Sequence, residues 1–403
     1  MNEVSTSLNY PADTAALKMA PEKAAHLVFL VTEDWFFVSH FLPMARAARE
    51  MGLRVTVITR VRAHREAIEA TGARVIALEA DRRSLNPLAI WKTWRSLAQL
   101  LAEEKPDILH CIALRSIVLG GLAVPRGCST VFALTGLGFL GARTDPAGRT
   151  VAAVMRRVLR HGLAGPKTRF LFENEDDARV LGLDPQDASK VALAGGAGVD
   201  PDILTATPLP PRPPLKVAVV ARMLWSKGID LAVEAVTLAR QNGADIELSL
   251  FGTPDPSNPK SVSEETLREW NARPGIRWHG ATRDVAAVWR DHHVACLASR
   301  GGEGLPRTLL EAGACGRPIV TTDVPGCRRL VRTGVEGIVV QPDDAVALSR
   351  ALMDCAAASA EKLQAMGDAA RARIKAGFTE RHVMETVKTL YGDLLRDAGV
   401  GQR

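Results

Sequence analysis

Residues 294–318 read V-A-C-L-A-S-R-G-G-E-G-L-P-R-T-L-L-E-A-G-A-C-G-R-P, and the order of residue types in this stretch sets the fold. A short apolar run, Val294–Ala298, gives way to a loop made permissive by Gly301, Gly302 and Gly304. Pro306 then suits a first helical position, and Gly316 suits the residue just past a helix end. The next apolar run, Pro318–Thr321, follows at once. Strand, glycine loop, helix, strand is one turn of a parallel α/β unit.

Outward from that stretch the same alternation repeats. Toward the N-terminus of this half it predicts strands at Lys216–Ala221, Ile246–Phe251 and Ile276–His279, with helices from about Ile229 and near Asp284–Arg290. The first half of the chain carries its own set: His26–Val31, Leu53–Ile58, Arg74–Leu78, Asp107–Ile112, Thr130–Leu134 and Val191–Leu193. Helical patterns such as Ser39–Met51 and Pro87–Glu104 lie between them. Continuous apolar strands separated by helices imply a parallel sheet covered on both faces. Between the halves stands T-P-L-P-P-R-P-P, residues 207–214, whose five prolines cannot continue a helix or a central strand. The expectation is an α/β chain of two Rossmann-like parallel-sheet domains facing across a cleft, with 206–214 as a stiff linker. Residues 23–205 form the first domain and 215–378 the second. In open parallel sheets ligands sit at the carboxyl ends of the strands, so chemistry belongs where a strand ends and a helix begins.

Composition narrows the class. At 403 residues, 47% hydrophobic and 24% charged, the chain has material for two cores and shows no low-complexity tract. No apolar run reaches the roughly 20 residues of a membrane span. Residues 1–22 are polar and lack the basic start and apolar block of a signal peptide, which predicts a disordered extension. Six scattered cysteines without C-x-x-C spacing fit a reducing, cytoplasmic setting rather than a disulfide scaffold. The net charge of +6 is uneven: residues 82–169 hold 14 Lys and Arg against 4 Asp and Glu. Trp91 and Trp94 lie there beside Arg82, Arg83, Lys92 and Arg95. Such a stretch suits an anionic membrane surface or a lipid phosphate, or else a solvated basic face. No nucleic-acid-binding module accompanies it.

Two constellations carry chemistry. The first is Glu303 in the glycine loop and Glu311 in the following helix, with a helix N-terminus between them that suits a diphosphate. A carboxylate accepts hydrogen bonds from vicinal hydroxyls, so sugar and ribose rings are natural partners. By itself the pattern also fits a tight turn carrying two surface glutamates. The second is Arg222 and Lys227, followed by Gly228, directly after the first strand of the C-terminal half. An arginine fork and a lysine point charge can converge on one diphosphate and stabilise the charge it gains on leaving. Two solvated charges at a helix start are the plainer alternative.

Taken together, Arg222…Lys227-Gly228 followed by Glu303-x7-Glu311 resembles the signature of the family 4 retaining glycosyltransferases of the GT-B fold. The segments 315–327 (C-G-R-P-I-V-T-T-D-V-P-G-C), 33–40 (E-D-W-F-F-V-S-H) with Leu42-Pro43, 135–138 (T-G-L-G) and 174–177 (N-E-D-D) resemble its capsular and lipopolysaccharide branch. The resemblance runs from about His26 to the C-terminus. It implies that Arg222 and Lys227 hold the donor diphosphate, Glu303 the transferred sugar and Glu311 the ribose. It places Gly252 and Thr253, with the loop near Gly280, at the base, and Gly304, Leu305 and Pro306 around the donor. It implies an acceptor-binding N-terminal domain, a donor-binding C-terminal domain, and a last stretch, about Thr379–Asp397, crossing back onto the first. Family members retain anomeric configuration and use no metal or other cofactor.

On the acceptor side the candidates are Trp35, His40, Thr135, Gly136 and His110. Many relatives carry a Gly-Gly loop where this chain has Thr32-Glu33-Asp34-Trp35, and an H-x-H pair where it has His110-Cys111-Ile112. His110 therefore also reads as a core histidine, and His40 as a residue at a helix start. The expected reaction is transfer from a UDP-sugar to a polyprenyl-diphosphate-linked saccharide, in bacterial surface polysaccharide assembly, by a cytoplasmic enzyme peripheral at the inner membrane face. The alternatives are another lipid or soluble saccharide acceptor, a nucleotide-sugar epimerase, or a binding protein without chemistry. Asp200-Pro201-Asp202 matches a metal-binding D-x-D only formally, and His279, His292, His293 and Cys296 lack a zinc-ligand spacing.

Overall fold

The computed structural model describes residues 24–79, 86–136, 146–256 and 258–399. The expected extension 1–22, Arg82 and Arg83 of the basic stretch, and Leu137-Gly138 of the T-G-L-G segment lie outside them. The chain forms two compact units: one from the residues up to Ala197 together with those from Glu380 onward, the other from Gly198–Thr379.

The first unit holds a seven-stranded sheet. Its strands are β1 (His26–Glu33), β2 (Arg54–Arg60), β3 (Arg74–Ala77), β4 (Ile108–Ile112), β5 (Ser129–Leu134), β6 (Thr168–Phe172) and β7 (Val191–Leu193). They run in the order β3-β2-β1-β4-β5-β6-β7, every neighbouring pair parallel. β1, β4 and β5 are buried along almost their whole length, which is why they read as unbroken apolar runs rather than alternating ones. The sequence does not announce β6, because Arg169 interrupts a run whose apolar part is just Phe170, Leu171 and Phe172.

The stretch expected as one helix over Ser39–Met51 is two, Asp34–His40 and Leu42–Glu50. The break falls at Phe41 (φ −121°, ψ −1°). Pro43 has no N–H to offer Ser39, and its ring would clash with that carbonyl, so the helix restarts with the proline in its first turn. His40 thus ends a helix instead of starting one.

The helix Glu380–Asp397 belongs to the core of this unit. Val383, Val387, Leu390, Tyr391 and Leu394, spaced for one helical face, are buried against the cluster around Phe37, Phe41 and Met44. Each contributes about 1.5–3 kcal/mol at most by leaving water. Arg46 Nη1 and Glu380 Oε2, 2.9 Å apart, fix the helix at its start.

The second unit holds six parallel strands: β8 (Leu215–Val220), β9 (Ile246–Phe251), β10 (Ile276–Gly280), β11 (Val294–Leu297), β12 (Ile319–Thr322) and β13 (Gly337–Val340). Their order is β10-β9-β8-β11-β12-β13. The chain leaves β8 toward β9 and returns to lay β11 on its other side, so β8 and β11 flank the point where the winding reverses. Side chains placed after those two strands are the ones a doubly wound sheet brings together.

The proline-rich stretch and the residues just before it lie against this unit, gripped through their backbone carbonyls. Arg317, fully buried, donates to the Thr207 carbonyl (2.9 Å), and Arg371 donates to those of Leu204 (2.8 Å) and Pro201 (2.9 Å). His293 accepts the Lys216 amide on Nδ1 and donates from Nε2 to Pro210, 2.9 Å each, while burial pushes its pKa down to about 4. This occupies His293 structurally. Asp200 caps its own turn, accepting the Asp202 amide at 2.8 Å. Among the described residues no helix is long and apolar enough to cross a membrane.

Candidate active site

After β8 the chain is held to the end of β9: the Ala221 amide donates to Phe251 (3.0 Å) and the Met223 amide to Thr253 (3.1 Å). A single 3₁₀ turn, Trp225–Lys227, follows, and then the helix Ile229–Gln241. The residue joining them, Gly228, has φ +65°, and a Cβ there would lie 1.9 Å from the Ala298 carbonyl oxygen. The left-handed backbone and the contact both require glycine. The turn bearing Lys227 is thereby pressed onto the end of β11, from which the Glu303 loop departs.

Glu303 is reached from that side. Lys227 Nζ stands 2.7 Å from both carboxylate oxygens, and Ser299 Oγ donates to Oε1 at 2.9 Å. Ser299 is buried, and its carbonyl accepts the Thr322 hydroxyl at 2.5 Å. The backbone of the Glu303 loop is fixed from the far side by Gly326, where a Cβ would lie 1.8 Å from the Gly304 carbonyl oxygen. The ion-paired side chains are part-exposed, 20% for Lys227 and 11% for Glu303. That leaves both ends of the pair accessible to a ligand.

Arg222, exposed on the same loop as Lys227, pairs with Asp255 at 3.0 Å. Glu311 sits in the helix Arg307–Ala314, 4% exposed, with Arg307 Nε donating to its Oε1 at 2.8 Å. Burial pushes the Glu311 carboxyl up, against the pull of Arg307. Gly304, Leu305 and Pro306 are buried on the approach to this helix. Pro306 (φ −64°, ψ 114°) is the capping residue before the first turn, one position earlier than its type suggested.

Next to the Lys227 loop, the Gly252 amide donates to Gly280 (2.6 Å) and the Trp278 indole N–H donates to the Gly252 carbonyl (2.8 Å). Phe251 stacks on His279, ring centres 4.6 Å apart and 9° from coplanar. This is a flat aromatic surface beside the Gly252–Thr253 turn.

In the first unit the strand-end residues are organised by Asp34, which is fully buried. Its Oδ1 accepts the Trp35 amide (2.7 Å), and its Oδ2 accepts the amides of Arg62 (2.7 Å), Ala63 and His64 (3.0 Å each). Half-buried Trp35 and His40 stand on the helix that follows, with the His40 ring 4.7 Å from Phe36 and its Nδ1 2.6 Å from Ser39 Oγ. Thr135 and Gly136 are half-buried at the carboxyl end of β5.

His110, expected among the acceptor contacts, has no exposed surface through which to touch a ligand. Its Nδ1 meets the Tyr391 hydroxyl at 2.8 Å, Phe29 packs on the ring at 5.0 Å, and burial pushes its pKa down to about 3. It is a neutral core histidine that ties β4 to the last helix.

Of the residues singled out in the sequence, the structure joins Lys227 to Glu303 directly. It gives Arg222 and Glu311 other partners, Asp255 and Arg307. The sequence assigned no role to Ser299, Arg300 or Arg307. The last was legible as an i, i+4 partner of Glu311.

Two family models match the chain, one over each half. "Glycosyl transferase 4-like" matches residues 26–174 and "Glycosyl transferases group 1" residues 214–357. The chain is similar to the N,N'-diacetylbacillosaminyl-diphospho-undecaprenol alpha-1,3-N-acetylgalactosaminyltransferase of Campylobacter jejuni. They are 26% identical over 331 residues, 77% of this chain and 84% of that protein. A putative colanic acid biosynthesis glycosyltransferase of Salmonella typhimurium is 28% identical over 187 residues, 45% of each chain. Among solved structures, Anabaena HepE in complex with UDP and glucose matches in fold with a TM-score of 0.71 and 17% identity. That match covers 92% of this chain and all of HepE.

Proposed function

We propose a specific reaction for this chain, which belongs to the family 4 glycosyltransferases of the GT-B fold: transfer of a sugar, with retention, from a UDP-sugar to a polyprenyl-diphosphate-linked saccharide. The observation that carries it is the Lys227–Glu303 pair, 2.7 Å at both oxygens, standing where the sheet's winding reverses. The name of the Campylobacter relative supports the acceptor class, that of the Salmonella relative supports polysaccharide assembly, and the UDP in the HepE complex supports the nucleotide.

In this reading Lys227 and Arg222 take the donor diphosphate, each exchanging its carboxylate partner for phosphate oxygens. Glu303 turns to the hydroxyls of the transferred sugar. Glu311 accepts the ribose hydroxyls alongside Arg307, since an ionised carboxylate offers about four acceptor positions. Phe251, Gly252 and Thr253 flank the base. The bond from the anomeric carbon to the diphosphate oxygen breaks as the acceptor hydroxyl attacks from the same face. Its proton passes to the departing diphosphate oxygen. The cations stabilise the charge that grows on the leaving group, so the step asks for no metal.

Trp35, His40, Thr135 and Gly136 are the acceptor candidates. Leu88, Trp91 and Leu122 are exposed apolar side chains in the basic part of the first unit, and Arg95 lies 5.5 Å over the Trp91 ring. They support association with an anionic membrane carrying the acceptor.

The test is nucleoside diphosphate release from UDP-, GDP- and ADP-sugars, with and without a bacterial lipid-linked acceptor extract, in EDTA. Acceptor-dependent UDP release that falls by about 10²-fold or more in Glu303→Ala and in Lys227→Ala is the expected result. Release from no donor, or release abolished by EDTA, overturns it. Acceptor-independent conversion of the UDP-sugar would point to epimerisation instead.

A further inference from the structure

The Glu303 loop opens with Arg300, whose guanidinium uses four of its five N–H groups on three residues: Trp225 and Asp230 in the segment around Lys227, and Asp343 after β13. Nη1 and Nη2 grip the two oxygens of Asp230 at 2.7 Å each, in the first turn of the helix Ile229–Gln241. Nη1 also donates to the Trp225 carbonyl at 2.5 Å, and Nε donates to Asp343 Oδ1 at 2.6 Å. The Arg300 amide adds a bond to the Ser226 carbonyl at 2.9 Å. Trp225 and Ser226 are the residues just before Lys227. Asp343 follows β13 and holds φ +59°, a conformation that costs a non-glycine residue energy and must be maintained by its surroundings.

We propose that Arg300 is a positioning residue for sugar transfer, setting the Lys227 turn against the Glu303 loop by clamping both to Asp230 and Asp343. The inference rests on the transferase reading of the Lys227–Glu303 pair. Arg300 acts through that pair, since its guanidinium is occupied by Asp230, Asp343 and the Trp225 carbonyl. The planar fork matters: a lysine in its place is one point charge and cannot hold both Asp230 oxygens together with the Trp225 carbonyl. Without the fork, the Lys227 turn keeps the Gly228–Ala298 contact and the Arg300 amide's hydrogen bond to Ser226 but loses the side-chain bonds at Trp225 and Asp230. A shift of about 1 Å in a group that meets developing charge costs about 10²-fold in rate.

The test compares wild type, Arg300→Lys, Lys227→Ala and the double variant, all in the full chain. Two measurements are made: steady-state transfer, and backbone amide exchange followed by mass spectrometry. Arg300→Lys is expected to lower kcat by about 10- to 100-fold with little change in the donor KM. In the Lys227→Ala background it should add nothing, because the group it positions is gone. Exchange should quicken at residues 224–228 and stay unchanged along β1. Losses that add fully in the double variant overturn the proposal, as does unchanged exchange at 224–228. Should wild type transfer no sugar at all, the transferase reading fails, and the exchange measurement still decides whether Arg300 holds the turn. Arg300→Ala serves as the harsher variant, with Arg300→Lys the one expected to fold.

Discussion

At the end of β1, Asp34 is buried and has both oxygens committed to four backbone amides. At the end of β11, Glu303 is part-exposed and held by the side chains of Lys227 and Ser299. Both carboxylates stand just past a strand at the reversal point of a parallel sheet. They differ in what holds them. Backbone amides cannot move away without unmaking the loop, whereas a lysine on a flexible stem can exchange partners. A carboxylate satisfied by backbone is architecture, and one satisfied by a mobile cation is available for chemistry.

The sharpest way to break this comparison is to neutralise each carboxylate and read both activity and stability. Glu303→Gln should lower transfer by about 10²- to 10³-fold, the scale of losing one preorganised polar group at a reacting centre. Its unfolding free energy in urea should stay within about 1 kcal/mol of wild type, as for a part-exposed ion pair. A large loss of stability there would make Glu303 a second structural carboxylate.

Asp34→Ala should do the opposite in kind. It strips the acceptor from the amides of residues 62–64, at about 1 kcal/mol each, so chemical unfolding should show a loss of about 3 kcal/mol. Asp34→Asn keeps one carbonyl oxygen and should lose less. An Asp34→Ala protein of unchanged stability would remove the distinction.

The smallest effect concerns pH. Burial holds His110 neutral in the folded first unit, with its pKa pushed down to about 3 from the ordinary 6.5. Between those values the unfolded chain binds the extra proton, so stability rises with pH. The stabilisation is complete above pH 6.5 and is lost as pH falls toward 3, at about 1.4 kcal/mol per unit. From pH 6.5 to 5.5 this amounts to about 1 kcal/mol, and His110→Asn should flatten that part of the slope. Glu311 in the second unit has the reverse sign. Its carboxyl is pushed up by burial, so the folded state holds the proton longer and stability falls as pH rises past its ordinary range. Glu311→Gln should remove that fall. Slopes of the same sign in both variants would contradict the burial assignments.

Much of this was legible in the chain itself. Of the thirteen parallel strands among the described residues, eleven follow from apolar runs and turn residues; β6 and β13, short or interrupted by charge, were the ones absent from the expectation. The proline stretch, the glycine loop at 301–304 and the helix bounds Pro87–Glu104 came from local chemistry, because each depends on neighbours within a few residues. So did the motif residues Lys227 and Glu303, and the strand-end position of each. The two-helix break at Phe41 needed only the weight of Pro43, which the periodic pattern overruled.

What tertiary structure alone decided is partnership across distance. Lys227 meets Glu303 over 76 residues, Arg300 meets Asp230 over 70, and His110 meets Tyr391 over 281. Sequence fixed which side chains were available at each strand end, since propensity and pattern act locally. Which of them touch depends on the winding of the sheet and the backbone contacts at Gly228 and Gly326. Those contacts are set by packing of distant segments, and that is why His110, which read both as an acceptor candidate and as a core histidine, is core, while an unassigned arginine became the clamp of the site.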